Sequence, residues 1–138
     1  MLYVYTDGGS RGNPGEAALG VFITDETGKE IAGFGRRLGI NTNNVAEYQA
    51  VIDALEWLLN HRELIGESSG ITFRMDSKLV ASQLSGLFRV KHPNMIPLFM
   101  QVKRLAAQLQ TPVRYTHIPR EQNKQADAYV NRALDNLL

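Results

Sequence analysis

The 138-residue chain contains no cysteine, so disulfides, thiolate metal sites and cysteine nucleophiles are excluded, and a reducing compartment is permitted. Aromatic residues make up only 8% of it and there are five prolines. Charges interrupt every apolar run well short of the roughly 20 residues that a bilayer-spanning helix needs. No basic segment leads into a long apolar one at the start, where Met1 passes directly into the strand-like residues 2–6; a cytoplasmic protein is expected rather than a secreted one. Net charge is also nearly absent, +1, yet the two halves differ. Residues 1–70 carry five basic and ten acidic side chains, and residues 71–138 carry ten basic and four acidic. That asymmetry suggests a polyanionic partner met mainly by the second half, although solvated helix faces would look the same. What is present in quantity is core material. With 43% hydrophobic and 21% charged residues, one compact domain over residues 1–138 is expected.

The pattern of that material changes period along the chain. Residues 2–6 are β-branched and aromatic and run into Asp7 and a glycine-rich stretch at 8–15, which reads as a loop. Residues 17–24 and 30–37 are two more strands about a turn at 25–29. Asn41, Thr42, Asn43 and Asn44 offer caps for a helix over 44–60. A strand at 71–75, a helix capped by Ser77 and ended near Gly86, a connector at 87–97, a helix at 98–109, a strand at 113–118 and a last helix over about 122–137 complete the order βββ-α-β-α-α-β-α. That order implies an α/β fold, a mixed sheet with helices packed on its faces.

Acidic residues occupy unusual places in this pattern. Asp7 and Asp76 each end an apolar strand, and the carboxyl edge of parallel strands is where α/β folds place ligands. Asp also ends strands merely to start turns. Glu47 is harder to explain blandly, because it lies in line with Val51, Ala54, Leu55 and Leu58, the sheet-facing stripe of its helix. Buried without a partner it would cost several kcal/mol, so it calls for a cation, a metal or donors. Asp127 flanks the stripe Ala126, Val130, Ala133, Leu134 and Leu137 one turn into the last helix, where its ordinary role would be to complement the helix dipole. Were the four to converge, oxygen-only ligands would select Mg²⁺ or Mn²⁺, and two such ions could flank a scissile phosphate. No dinucleotide or P-loop glycine pattern is present.

Tyr5-Thr6-Asp7-Gly8-Gly9-Ser10 with Gly12-Asn13-Pro14-Gly15, Thr42-Asn43-Asn44-Val45-Ala46-Glu47-Tyr48, Met75-Asp76-Ser77 and Asn123-Lys124-Gln125-Ala126-Asp127 together resemble type 1 ribonuclease H, in order and over nearly the whole chain. The resemblance implies a ribonuclease H-like fold, a five-stranded mixed sheet of order 3-2-1-4-5 with strand 2 antiparallel and helices on both faces. It further implies an endonuclease that hydrolyses the RNA strand of RNA–DNA hybrids with two Mg²⁺ or Mn²⁺ ions, leaving 5′-phosphate and 3′-hydroxyl ends. Under it Asp7, Glu47, Asp76 and Asp127 are the catalytic, metal-binding carboxylates. The backbone around Gly8, Gly9 and Ser10 meets RNA 2′-hydroxyls, and Asn13, Asn43, Asn44, Ser77 and Lys78 make further hybrid contacts, with Lys91 a candidate for phosphate.

Two departures give the chain its character. The connector offers only Arg89, Lys91 and His92, so the basic protrusion of some relatives is missing; and no long loop carrying a His precedes the last helix. The short form resembles archaeal-type and related bacterial members. Arg120, seven residues before Asp127, is the catalytic candidate in the place of that His, while His117 is assigned to the fifth strand in a structural role. The partner expected is an RNA–DNA hybrid; no membrane and no obligatory protein partner is called for. The competing classes are a non-catalytic hybrid-binding module, which has no need of four carboxylates, and a DNA-cutting nuclease of the resolvase or transposase kind.

Overall fold

The computed structural model describes residues 1–66 and 69–137. Three antiparallel strands open it: β1 (Leu2–Gly12), β2 (Gly15–Thr24) and β3 (Glu30–Asn41). Asn13-Pro14, with a cis peptide bond, joins the first two. Between β2 and β3 the Asp25 carboxylate accepts from the amides of Thr27 (2.8 Å) and Lys29 (3.0 Å), which sets the turn. There follow α1 (Asn43–Leu59), α2 (Arg62–Ile65), β4 (Ile71–Met75), α3 (Lys78–Leu84), α4 (Ile96–Gln108), β5 (Val113–His117), a 3₁₀ turn at Arg120–Gln122 and α5 (Lys124–Leu134). β4 and β5 run parallel to β1, and the sheet order is β3-β2-β1-β4-β5. This is the five-stranded mixed sheet that the resemblance implies, with strand 2 antiparallel.

Strand alternation divides the side chains between two layers. Leu2, Val4, Val21, Ile23, Ile71, Phe73 and Met75 project to one face, where they bury against Tyr48, Val51, Ile52, Leu55 and Leu58 of α1 and Val102 and Leu105 of α4. The other face carries α5, whose Val130 and Ala133 pack on Ala18. Gly20 makes that approach possible: a Cβ there would overlap the Ala126 carbonyl oxygen and meet the Val130 amide nitrogen at 3.0 Å. Among the described residues no helix is long and apolar enough to cross a membrane.

The elements differ from the expected ones in instructive places. The glycine-rich stretch is not a loop. Gly8, Gly9 and Ser10 continue β1 and pair with Leu19, Ala18 and Ala17 of β2, so the turn shrinks to Asn13-Pro14. β3 likewise runs on to Asn41. α4 starts at Ile96 because Pro97 suits a first helical turn, where its missing N–H is no loss. α5 stops at Leu134, three residues early: Asn136 adopts a positive φ of 57°, and Leu137, expected on the buried stripe, is 70% exposed. The short α2 was not anticipated.

Candidate active site and its carboxylate cluster

β4 ends at Met75 while β1 continues past Thr6, its last residue paired with β4. Asp7 and Asp76 therefore stand side by side where the parallel ladder stops, at the carboxyl edge of the sheet. α1 delivers Glu47 from above. Its start is fixed by Thr42, whose hydroxyl accepts from the Val45 amide (3.2 Å), and its closeness to the strand by Gly8, at which a Cβ would overlap the Ala46 carbonyl carbon and the Glu47 amide nitrogen. The result is that Asp7, Glu47 and Asp76 each offer a carboxylate oxygen within 4.8 Å of the other two. Asp127, in the first turn of α5, lies outside that tightest group but lines the same cleft and hydrogen bonds with Asp7.

Such crowding is costly without a counter-charge. Asp7 is pushed up to about 8, first by burial, then by the charge of Asp76 and by hydrogen bonding and charge from Asp127. Glu47 is held well above the ordinary carboxylate range, again first by burial and then by the charges of Asp7 and Asp76, against which the Gly8 amide donates a relieving hydrogen bond. One Glu47 oxygen, Oε2, is buried with no hydrogen-bond partner among the described residues. An orphaned carboxylate oxygen beside two other carboxylates, with no nitrogen or sulfur donor in the group, fits a hard divalent cation.

The cleft that holds the cluster is also lined by Gly8, Gly9, Ser10, Arg11, Asn43 and Asn44 on one side and Ser77, Arg120 and Asn131 on the other. The polar residues near it are partly occupied with one another. The Ser10 amide donates to Asn43 Oδ1 (2.8 Å), the Asn43 amide to Asn13 Oδ1 (3.0 Å), and Ser77 caps α3 by accepting from the Val80 amide (3.2 Å). Asn13 lines a neighbouring depression with Thr42, Asn44 and His92 instead. Lys78 and Lys91 are exposed and do not line the cleft. Arg120 does line it, exposed, on the 3₁₀ turn ahead of α5. His117 lies in the fifth strand as expected, at the end of β5 opposite Met75, and its exposed side chain makes no hydrogen bond or ion pair among the described residues, so no structural role for that side chain is seen.

One residue was overlooked. Asn123 precedes α5 where a cap is expected, yet its side chain makes no cap bond. It is fully buried and donates to the Thr6 carbonyl (2.9 Å) and to Asp76 Oδ2 (3.3 Å), so it ties β1, Asp76 and the start of α5 together. The signal available was its place in Asn123-Lys124-Gln125-Ala126-Asp127; burial was not visible there.

Residues 5–133 match the family described as reverse transcriptase-like. Ribonuclease HI of Halobacterium salinarum is 37% identical over 98% of this chain and 65% of its own length, and the crystal structure of that organism's RNase H1 superposes with a TM-score of 0.88. LC11-RNase H1 in complex with an RNA/DNA hybrid superposes with a TM-score of 0.92 at 39% identity, over 99% of this chain and 98% of that one. The chain belongs to the type 1 ribonuclease H family. The bifunctional protein Rv2228c of Mycobacterium tuberculosis is 38% identical over 97% of the chain. Only 35% of Rv2228c is covered: the chain spans about a third of the length of the first curated relatives it matches. Family membership accounts for the sheet order and for helices on both of its faces, and a ribonuclease H fold carries this carboxyl edge with it.

Proposed function

We propose that the chain is an endoribonuclease that hydrolyses the RNA strand of RNA–DNA hybrids and leaves 5′-phosphate and 3′-hydroxyl ends. The observation that carries the reading is the convergence of Asp7, Glu47 and Asp76, with Asp127 beside them, in an open cleft where one buried carboxylate oxygen has no hydrogen-bond partner among the described residues. The solved relative with an RNA/DNA hybrid supports the choice of substrate.

Asp7, Glu47, Asp76 and Asp127 would hold two Mg²⁺ or Mn²⁺ ions. When bound, these supply positive charge against the scissile phosphate and lower the cost of forming the nucleophile from water. The chain's own residues do the rest. Asn123 fixes the carboxylate of Asp76 and Gly8 admits Glu47 to the strand edge, which sets the cluster before substrate arrives. In the reaction a water oxygen bonds to phosphorus as the bond from phosphorus to O3′ breaks, and the proton lost by water balances the one gained by O3′. Arg120 would fork onto phosphate oxygens and neutralise them, but its guanidinium keeps its protons at any working pH and cannot shuttle them. Ser10, Asn43 and Asn44 would face the sugar edge, with Gly9 leaving room for it; Lys78 and Lys91 would meet phosphates farther out.

The test is hydrolysis of an RNA–DNA hybrid, double-stranded RNA and duplex DNA of one sequence, with Mg²⁺ or Mn²⁺ and with chelator. Hybrid cleavage that leaves RNA 3′-hydroxyls and stops in chelator is the expected result, and Asp7→Asn should lower turnover by about three orders of magnitude or more while hybrid binding persists. Binding of the hybrid without cleavage would make the protein a binding module, and equal cutting of duplex DNA a different nuclease.

A further inference from the structure

Arg11 and Asp135 meet at the mouth of the cleft, and neither belongs to the machinery described above. Strand alternation puts Arg11 on the same side of β1 as Asp7 and Gly9, facing α5, and it lines the cleft with Ser10, Asn131 and Leu134. Its Nη1 lies 2.7 Å from Asp135 Oδ1, just past the end of α5, and the two side chains are 51% and 44% exposed. Arg11 makes no other ion pair or side-chain hydrogen bond among the described residues.

Asp135 does not depend on that contact for its position. Its amide donates to the Asn131 carbonyl (2.9 Å), and the next residue is held from another strand, with Arg37 Nη1 on Asn136 Oδ1 at 2.6 Å and Arg37 Nη2 on Glu16 Oε2 at 3.1 Å. Arg11 can leave while Asp135 and Asn136 stay in place. An exposed ion pair of this kind contributes little, and it confronts an arginine with a carboxylate in a cleft suited to phosphates, which bind the guanidinium fork at least as well. We propose that Arg11 is a phosphate ligand for the strand lying in the cleft and that Asp135 is its built-in competitor, so that Arg11 exchanges from carboxylate to phosphate when the hybrid binds. The proposal rests on the hybrid-nuclease reading and adds a specificity device outside the carboxylate cluster, one that sets affinity and leaves the chemical step alone.

Steady-state kinetics on an RNA–DNA hybrid in Mg²⁺ at low salt, for wild type, Arg11→Gln, Asp135→Asn and the double variant, test it. Arg11→Gln should raise KM about fivefold, and Asp135→Asn should lower it about threefold, both with unchanged kcat. The gain from Asp135→Asn should vanish when Arg11 is already Gln, because a competitor has no effect without the group it competes for. Hybrid cleavage with a KM indifferent to Asp135, or an equal gain with and without Arg11, would overturn the exchange while the nuclease reading stands. A wild type that neither binds nor cuts the hybrid would overturn both.

Discussion

Arg120 and Asn123 stand three residues apart and act in opposite ways, one reaching out into the cleft and the other buried beneath it. Arg120 has no hydrogen bond or ion pair from its side chain among the described residues, so its removal costs the fold little. Arg120→Ala is expected to lower kcat about tenfold at unchanged melting temperature, Arg120→Lys to restore only part because the fork is lost, and exposed His117→Ala to change neither. Kinetics and melting of the three variants check this, and a kcat that falls for His117→Ala alone would reassign the role. Asn123→Ala behaves differently, because it strands the buried Thr6 carbonyl and releases Asp76. It should destabilise by about 1–3 kcal/mol and raise the Mg²⁺ concentration for half-maximal activity roughly tenfold. A shifted melting temperature with unshifted Mg²⁺ dependence would leave Asn123 a purely structural residue. Asn123 escaped sequence reasoning because it fell inside the helix expected over about 122–137, and nothing in the pattern marks an Asn there as buried beneath the sheet edge. Glu47 was legible because a carboxylate on an apolar stripe has no bland explanation.

Among the elements, the pressure of helices on the sheet explains both what could be read and what could not. The α1 stripe and the strand alternation of β4 were plain from period alone. The continuation of β1 through Gly8 and Gly9 was not, since glycine pairs read as strand breakers. Gly8 is a glycine because α1 presses on it, so that a Cβ there would overlap the Ala46 and Glu47 backbone, whereas a Cβ at Gly9 would make only an ordinary contact with Val130 of α5, 3.6 Å away on the other face. At the end of α5, Asn136 takes a positive φ and its side chain accepts from Arg37 instead of the chain entering another helical turn. Gly20 carries the corresponding prediction. A methyl group there meets the α5 backbone itself, which cannot swing aside as a side chain can. Gly20→Ala should therefore cost about 1–3 kcal/mol, as overpacking does, and should also lower activity, because α5 carries Asp127 and follows Asn123. Urea unfolding alongside Mg²⁺-saturated kinetics would show it; an unperturbed variant would mean that α5 is free to move away from the sheet.

For the molecule as a whole, the site sets stability against chemistry, and pH exposes the balance. Of the carboxylates that would bind cations, Asp7 and Glu47 are buried side by side, and the native state without metal favours their protonated forms. Asp7 holds its proton up to about 8 in the fold, against 3.8 for the free side chain. Below 3.8 both states are protonated and Asp7 costs nothing. Between 3.8 and about 8 the unfolded chain loses a proton that the native one keeps, so stability falls as pH rises through this window and levels off above it. Glu47, raised in the same direction, adds to the slope. The exposed Asp25, held below its ordinary value chiefly by the Thr27 hydroxyl, gains stability as pH rises but has done so before the window opens. In chelator the melting temperature is therefore expected to drop from pH 5 to pH 8. Asp7→Asn should flatten that drop and melt higher than wild type at pH 8, by an amount worth at least about 1 kcal/mol. Added Mg²⁺ should reverse the order, since a cation compensates the charge that the variant has lost. Melting curves of both proteins across pH, with and without Mg²⁺, decide it: a wild type whose stability in chelator is flat or rising between pH 6 and 8 would mean that the cluster is relaxed without metal, and that its burial stores no repulsion for a cation to relieve.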